Sequence, residues 1–138
     1  MTIETPRQRL THANALIAAI SRHGRRFFHD TRSGRIARFE IDLAGRLWLR
    51  DEYTNRRVYV AYRGHWRHFS NGGTLRRLIE CIAAFIRSGR PVPASVFGPW
   101  PTWICDGDLW GYGKPAMDAL RAEIADSPCL ARRREAQS

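Results

Sequence analysis

The sequence lacks several features that define other classes of protein. It has no long hydrophobic run, because its most apolar stretch, residues 13–20, is short and contains Asn14, so no transmembrane span is expected. Its first ten residues carry charges and no apolar core, so no secretory signal is expected. Cysteine is scarce, and three widely spaced cysteines are typical of reduced thiols rather than of a disulfide framework. We therefore predict a cytoplasmic protein without a membrane partner.

Lysine is almost absent, although the chain is strongly basic. Of the 23 basic residues only Lys114 is a lysine, so 22 are arginine, and the 13 acidic residues leave a formal net charge of +10. A high-GC genome would explain the ratio of arginine to lysine but not the net charge. A guanidinium group pairs with phosphate or carboxylate through two parallel hydrogen bonds. A positive field of this kind attracts nucleic acid, an anionic membrane surface or an acidic protein.

Length and composition favour one globular unit. The chain has 138 residues, of which 43% are hydrophobic, which is enough for one core. We expect a single domain over residues 1–130. Residues 131–138, with three consecutive arginines, are predicted to form a basic disordered tail.

Helical periodicity appears in three segments. The Thr-Pro pair at residues 5–6 predicts the start of a first helix that continues to about residue 23. One apolar stripe over residues 75–86 predicts a second helix. A shorter third helix is predicted from residue 115 to an end near residues 127–128.

Between the first two helices the hydrophobic period changes to two. Short alternating segments occur near residues 26–29, 36–43, 46–50, 57–62 and 66–69, and turn residues separate them. This pattern predicts an antiparallel meander of four or five strands. We therefore expect an α+β fold in which the second helix packs on one face of the meander and the first and third helices flank it.

The opposite face of the predicted meander combines arginines with aromatic rings. If Leu47 and Leu49 face the core, the alternate residues on their strand and its neighbours face outward. The candidate nucleic-acid-binding residues of this face are Arg38, Arg46, Trp48, Arg50, Arg57 and Tyr59. Arginines on such a face hold phosphates while aromatic rings stack on bases. The alternative is cross-strand pairing on a solvated face, partly covered by the first helix or a loop.

The segment before the second helix adds a possible anion site. Free backbone N–H groups at residues 70–74 would face an anion, with Arg76 and Arg77 in the first turn. Ordinary helix capping is the alternative, and no Gly-Lys-Ser/Thr follows as in nucleotide hydrolases. Three strands followed by a helix, with arginine and tryptophan on the open sheet face, resemble the layout of small DNA-binding domains such as integrase-arm domains across residues 34–88.

The residues argue against metal and hydrolytic chemistry. His65 and His68 would point to opposite faces of a strand, which does not suit a shared zinc ion. Lys114 cannot complete the common Asp/Glu-x-Lys arrangement of nucleases. The acidic residues that remain candidates for a magnesium site are Glu40, Asp42, Asp51, Glu52, Asp106 and Asp108. We expect no cofactor, no metal and no enzymatic activity, and a metal-dependent nuclease is the second alternative.

Residues 90–114 form a long segment rich in proline, glycine and tryptophan. Loops of this length are usually functional or pack over the core. The candidate protein-binding residues in it are Trp100, Trp103, Trp110 and Tyr112. Tryptophan and tyrosine are favoured as binding anchors, and they serve equally well as a lid over a small core.

A resemblance to a group of known proteins rests on four short stretches of the sequence, RRFF, GGTLRRLIE, FGPW and LWGYG. Across residues 14–125 it resembles small uncharacterised proteins of phages, plasmids and integrated elements. The resemblance implies an accessory protein that binds nucleic acid or a nucleoprotein complex, which is our leading hypothesis. The alternative is an anti-defence protein, such as an anti-CRISPR, that binds a host protein through residues 90–114, which we name the aromatic loop. DNA and RNA both remain open as the partner, as does the oligomeric state.

Overall fold

The computed structural model describes residues 4–24, 27–59, 72–108 and 110–130. These ranges contain three α-helices and five short strands, which make the fold α+β. The elements are α1 (Pro6–His23), β1 (His29–Asp30), β2 (Arg35–Ile36), β3 (Arg38–Ile41), β4 (Leu47–Arg50), β5 (Arg57–Tyr59), α2 (Gly72–Ser88) and α3 (Lys114–Ile124). Of the helices in the described part of the chain, none combines the length and apolar character needed to cross a membrane.

The described strands form two antiparallel sheets rather than the single meander that the alternation predicted. One sheet pairs β1 with β2, and the other has the order β3-β4-β5. The predicted strand at 36–43 is interrupted at Ala37, whose N–H donates to the carbonyl of Phe28 at 2.9 Å. It ends at Ile41 because the Asp42 side chain then holds the turn. The strand predicted at 66–69 lies outside the described residues.

Helix α1 begins and ends at the predicted residues. The Thr5 hydroxyl accepts a hydrogen bond from the Gln8 N–H, and the Gln8 side chain accepts one from the Thr5 N–H, which completes a capping box. At the other end the chain leaves the helix at Gly24 in extended backbone. A Cβ at Gly24 would lie 2.4 Å from the Tyr112 ring, so glycine is required there for close packing.

Among the described residues, α1 packs closely against the three-stranded sheet, where α2 was predicted to pack. It contacts β3 on one side and both α2 and α3 on others. Asn14 fixes the contact with β3, because its side-chain amide donates to the Phe39 carbonyl at 3.0 Å and accepts from the Phe39 N–H at 2.7 Å. The stripe on α2 predicts that the helix is buried but not which element buries it.

One hydrophobic core joins the helices, the sheet and the aromatic loop. Its largest fully buried side chains include Phe39 and Leu49 from the sheet and Trp110 from the loop. Leu47 and Leu49 are both buried, as the alternation along β4 predicted. The intervening residues of β4 therefore lie on the opposite face of the sheet, where the candidate site is found.

Candidate functional site

The register of the three-stranded sheet brings the candidate residues together in two rows. In antiparallel pairing, residues that are directly opposite one another share a face. The first row consists of Arg38, Arg50 and Arg57, and the second consists of Glu40, Trp48 and Tyr59. Tyr59 is assigned to its row from the backbone register alone. Adjacent strands lie about 4.8 Å apart, so the backbone positions of Arg38 and Arg57 are roughly 10 Å apart.

A single carboxylate, Glu40, holds all three arginines of the first row. Arg50 donates to it twice, from Nε at 2.8 Å and from Nη2 at 3.0 Å. Arg38 and Arg57 each donate from Nε, both at 2.9 Å. The Glu40 side chain is only 16% exposed, so these pairs are shielded from water more than ordinary surface ion pairs are. We name these four residues the Glu40 cluster.

The Glu40 cluster is charged and stays so at neutral pH. The hydrogen bond from Arg50 is the largest cause that lowers the pKa of Glu40 to about 2, while burial opposes it and Arg57 adds to the lowering. The same hydrogen bond raises the pKa of Arg50. Three guanidinium groups around one carboxylate leave two positive charges in excess, which makes the cluster attractive to anions.

The three arginines differ in what they can offer to a ligand. Arg50 is committed to the protein, because its Nη1 also donates to the Asn55 carbonyl at 2.7 Å. Arg38 and Arg57 reach Glu40 through Nε alone, and their side chains are 53% and 42% exposed. Within the described residues their terminal Nη groups donate to no protein acceptor. Two guanidinium ends are thus held in place with hydrogen-bond donors to spare.

Trp48 and Arg46 lie beside the cluster, around Asp42. The indole N–H of Trp48 donates to Asp42 at 2.8 Å, and the backbone N–H of Arg46 donates to the same carboxylate at 2.9 Å. The hydrogen bond from Trp48 is the largest cause that lowers the pKa of Asp42. Trp48 is half-buried and Arg46 is exposed. Asp42 therefore fixes the ring of Trp48 beside a row of arginines.

Arg76 and Arg77 lie on α2 rather than on the sheet. Both are exposed, and Arg76 pairs with Glu80 across one turn at 3.5 Å. Residues 70 and 71, where the predicted anion site would begin, lie outside the described residues.

The aromatic loop divides into packed and exposed residues. Trp110 is 1% exposed and its ring meets that of Phe27 edge-on, with 5.2 Å between centroids. Tyr112 is half-buried and its hydroxyl donates to the Ile20 carbonyl at 3.1 Å. Trp100 is partly buried against the core, whereas Trp103 is 81% exposed. Of the four candidate protein-binding residues, only Trp103 presents most of its surface to solvent.

The acidic residues considered for a nuclease serve mainly as structural acceptors. Asp42 and Asp51 accept hydrogen bonds from backbone N–H groups in the turns on either side of β4. Asp108 accepts from the N–H groups of Gly111 and Gly113. In the ranges that the structure describes, no three His, Cys, Asp or Glu residues are grouped as a metal would need. His65 and His68 lie outside those ranges.

Glu40 is the residue of the candidate site whose structural role sequence reasoning missed. The alternation placed it on the outer face beside Arg38, but it was considered only as a possible metal ligand. The spacing of Arg38 and Glu40, two residues apart on one strand, was the available signal. Its two other partners follow only from the register of β4 and β5.

Comparison with known proteins places the chain in a family. No curated protein and no solved structure matches the chain significantly. A family model described as YoqU matches residues 5–126, which is consistent with the small phage protein that the sequence resembles. The match covers all the helices and strands described above. The chain belongs to the YoqU family.

Proposed function

We propose that the protein is a non-enzymatic binder of nucleic acid, free or within a nucleoprotein complex, and that the outer face of β3-β4-β5 is its binding surface. The observation that carries the proposal is the Glu40 cluster, in which Arg38 and Arg57 are held by Nε and keep their terminal groups exposed. Such guanidinium ends suit phosphate oxygens, because they donate in a planar fork. An accessory role in a mobile element is consistent with this activity.

The residues of the face take different parts in this proposal. Arg38, Arg57 and the exposed Arg46 contact phosphates. Arg50 positions its neighbours instead, because its own donors are committed to Glu40 and Asn55. Trp48 contacts bases or sugars in the adjacent row, to which the backbone register also assigns Tyr59. Phosphate contacts dominate the affinity of such interfaces and make it dependent on salt.

The binding test uses fluorescence anisotropy with labelled duplex DNA, single-stranded DNA and RNA at about 50 and 200 mM salt. We predict that the wild-type protein binds at least one of these, and that R38A/R57A weakens binding by about tenfold or more at low salt and reduces the slope of log K against log salt by about 2. The matched control is R87A/R90A, which removes two exposed arginines from the end of α2 and the segment after it. Equal losses in the two double variants would show that charge alone matters and would refute this surface.

A second candidate function rests on Trp103. A tryptophan that is 81% exposed is a suitable anchor for a protein partner, as an anti-defence protein that binds a host protein would need. Affinity purification from a nuclease-treated host lysate with wild-type protein and W103A tests this function. A partner retained by the wild type and lost by W103A favours it, and identical sets of partners count against it.

A further inference from the structure

The Glu40 carboxylate binds Arg50 in the way that a phosphate would. Both of its oxygens accept from the same guanidinium, at 2.8 and 3.0 Å, and this two-point contact is the geometry in which arginine recognises phosphate. A ligand phosphate therefore cannot take Arg50 without first displacing Glu40. The Glu40 carboxylate thus occupies the site on Arg50, the middle arginine of the row, that a ligand phosphate would use.

Glu40 also restricts the other two arginines. A long arginine side chain samples many rotamers when it is free, but the Nε groups of Arg38 and Arg57 are each held at 2.9 Å from one carboxylate. Because the strands fix the backbone positions roughly 10 Å apart, the exposed Nη groups flank the carboxylate at a set spacing. The negative charge between them lowers the attraction for any anion.

We propose that Glu40 is the specificity-determining residue of the outer face of β3-β4-β5. It reduces the affinity of this face for polyanions in general. It favours a nucleic-acid backbone whose phosphates match the fixed positions of Arg38 and Arg57. This inference rests on the proposed function. A flexible polyanion without that regular geometry gains only from charge. A nucleic-acid strand with suitably placed phosphates contacts both guanidinium groups without reorganising either of them.

The test compares two ligands, the nucleic acid that wild-type protein prefers and inorganic polyphosphate of equal charge, by anisotropy and by competition. We expect E40Q to bind polyphosphate about five- to tenfold more tightly, because one negative charge is removed and Arg50 is released. We expect its preference for nucleic acid over polyphosphate to fall by at least about fivefold. D126N removes one negative charge from an exposed position after α3 and should leave the preference unchanged.

A second variant separates charge from geometry. E40D keeps the charge but withdraws the carboxylate by one methylene, so its preference should fall without a gain in affinity for polyphosphate. It also keeps a carboxylate in the cluster if E40Q does not fold, as checked by thermal unfolding. A preference that survives in both variants would overturn the role of Glu40 while leaving the binding surface intact. A wild-type protein that binds nucleic acid and polyphosphate equally well would overturn this inference alone, whereas one that binds no nucleic acid would overturn the proposed function as well.

Discussion

At the scale of single residues, the arginines have two separate uses. Arg9 donates to the carbonyls of Ile86 and Arg87 at the end of α2, at 2.9 and 3.3 Å, where otherwise unpaired carbonyls of a helix end need donors. Arg121 donates to the Phe97 carbonyl at 2.8 Å. Some of the positive charge thus stabilises the fold, and the net charge of +10 overstates what is available for binding.

Glu52 gives a prediction about stability and pH. It is buried, and burial is the largest cause that raises its pKa to about 7, with Asp51 and Asp30 adding to the shift. The folded state therefore holds a proton that the unfolded state has released above its ordinary pKa of 4.5. Stability is greatest below pH 4.5 for this group and declines as the pH rises towards 7.

We predict that E52Q, which keeps the side chain neutral, unfolds with a free energy roughly 1–3 kcal/mol higher than that of the wild type at pH 8. At pH 5 the two should differ little, because wild-type Glu52 is protonated there in the folded protein. Urea unfolding at both pH values measures the difference, with E80Q as the exposed control. A difference that does not depend on pH would contradict the buried ionisation.

At the scale of elements, the contact between α1 and β3 depends on one amide. Asn14 supplies both a donor and an acceptor to Phe39, which is what a neighbouring strand would otherwise provide. It therefore occupies hydrogen-bonding groups on the edge of β3 that lies away from β4, and occupied edges are less able to pair with other chains. An asparagine within an otherwise apolar helical stretch was the sequence signal for this contact.

We predict that N14A lowers the free energy of unfolding by about 1–3 kcal/mol, because it leaves the partly buried N–H and carbonyl of Phe39 without partners. Urea denaturation measures the loss. The control is T11A on the same helix, whose hydroxyl bonds to the Arg7 carbonyl on the exposed side. Equal effects of the two substitutions would mean that the amide contributes nothing beyond an ordinary helix position.

The aromatic loop provides a matched pair of tryptophans. Trp110 is buried in the core and Trp103 is exposed. We predict that W110A costs about 3–5 kcal/mol of stability, as truncation of a large core aromatic does, and that W103A costs less than about 0.5 kcal/mol. Thermal and urea unfolding test both. A large loss in W103A would show that its ring packs against the protein and would remove it as a docking residue.

At the scale of the whole molecule, the sequence predicted local structure but not which distant elements and side chains contact one another. The start of α1 follows from Thr5 and Pro6, which act on their own neighbours, whereas Gly24 at its end is required by packing against the distant Tyr112. The outer face of β4 follows from alternation about Leu47 and Leu49. The division into two sheets, the position of α1 against β3 and the arginine partners of Glu40 all depend on contacts between distant residues, which periodicity does not encode.

We propose that Arg38 and Arg57 contact nucleic acid. The most direct test is ¹⁵N NMR of the arginine Nε–H groups during titration with nucleic acid. Hydrogen bonds to Glu40 should make the Nε–H signals of Arg38 and Arg57 visible. The Nε–H signal of Arg9, which donates to the Ile86 carbonyl, provides an internal control. We predict saturable shifts for Arg38 and Arg57 and none for Arg9. If nucleic acid binds, as anisotropy reports, while both signals stay unshifted, the binding surface lies elsewhere and the account is wrong.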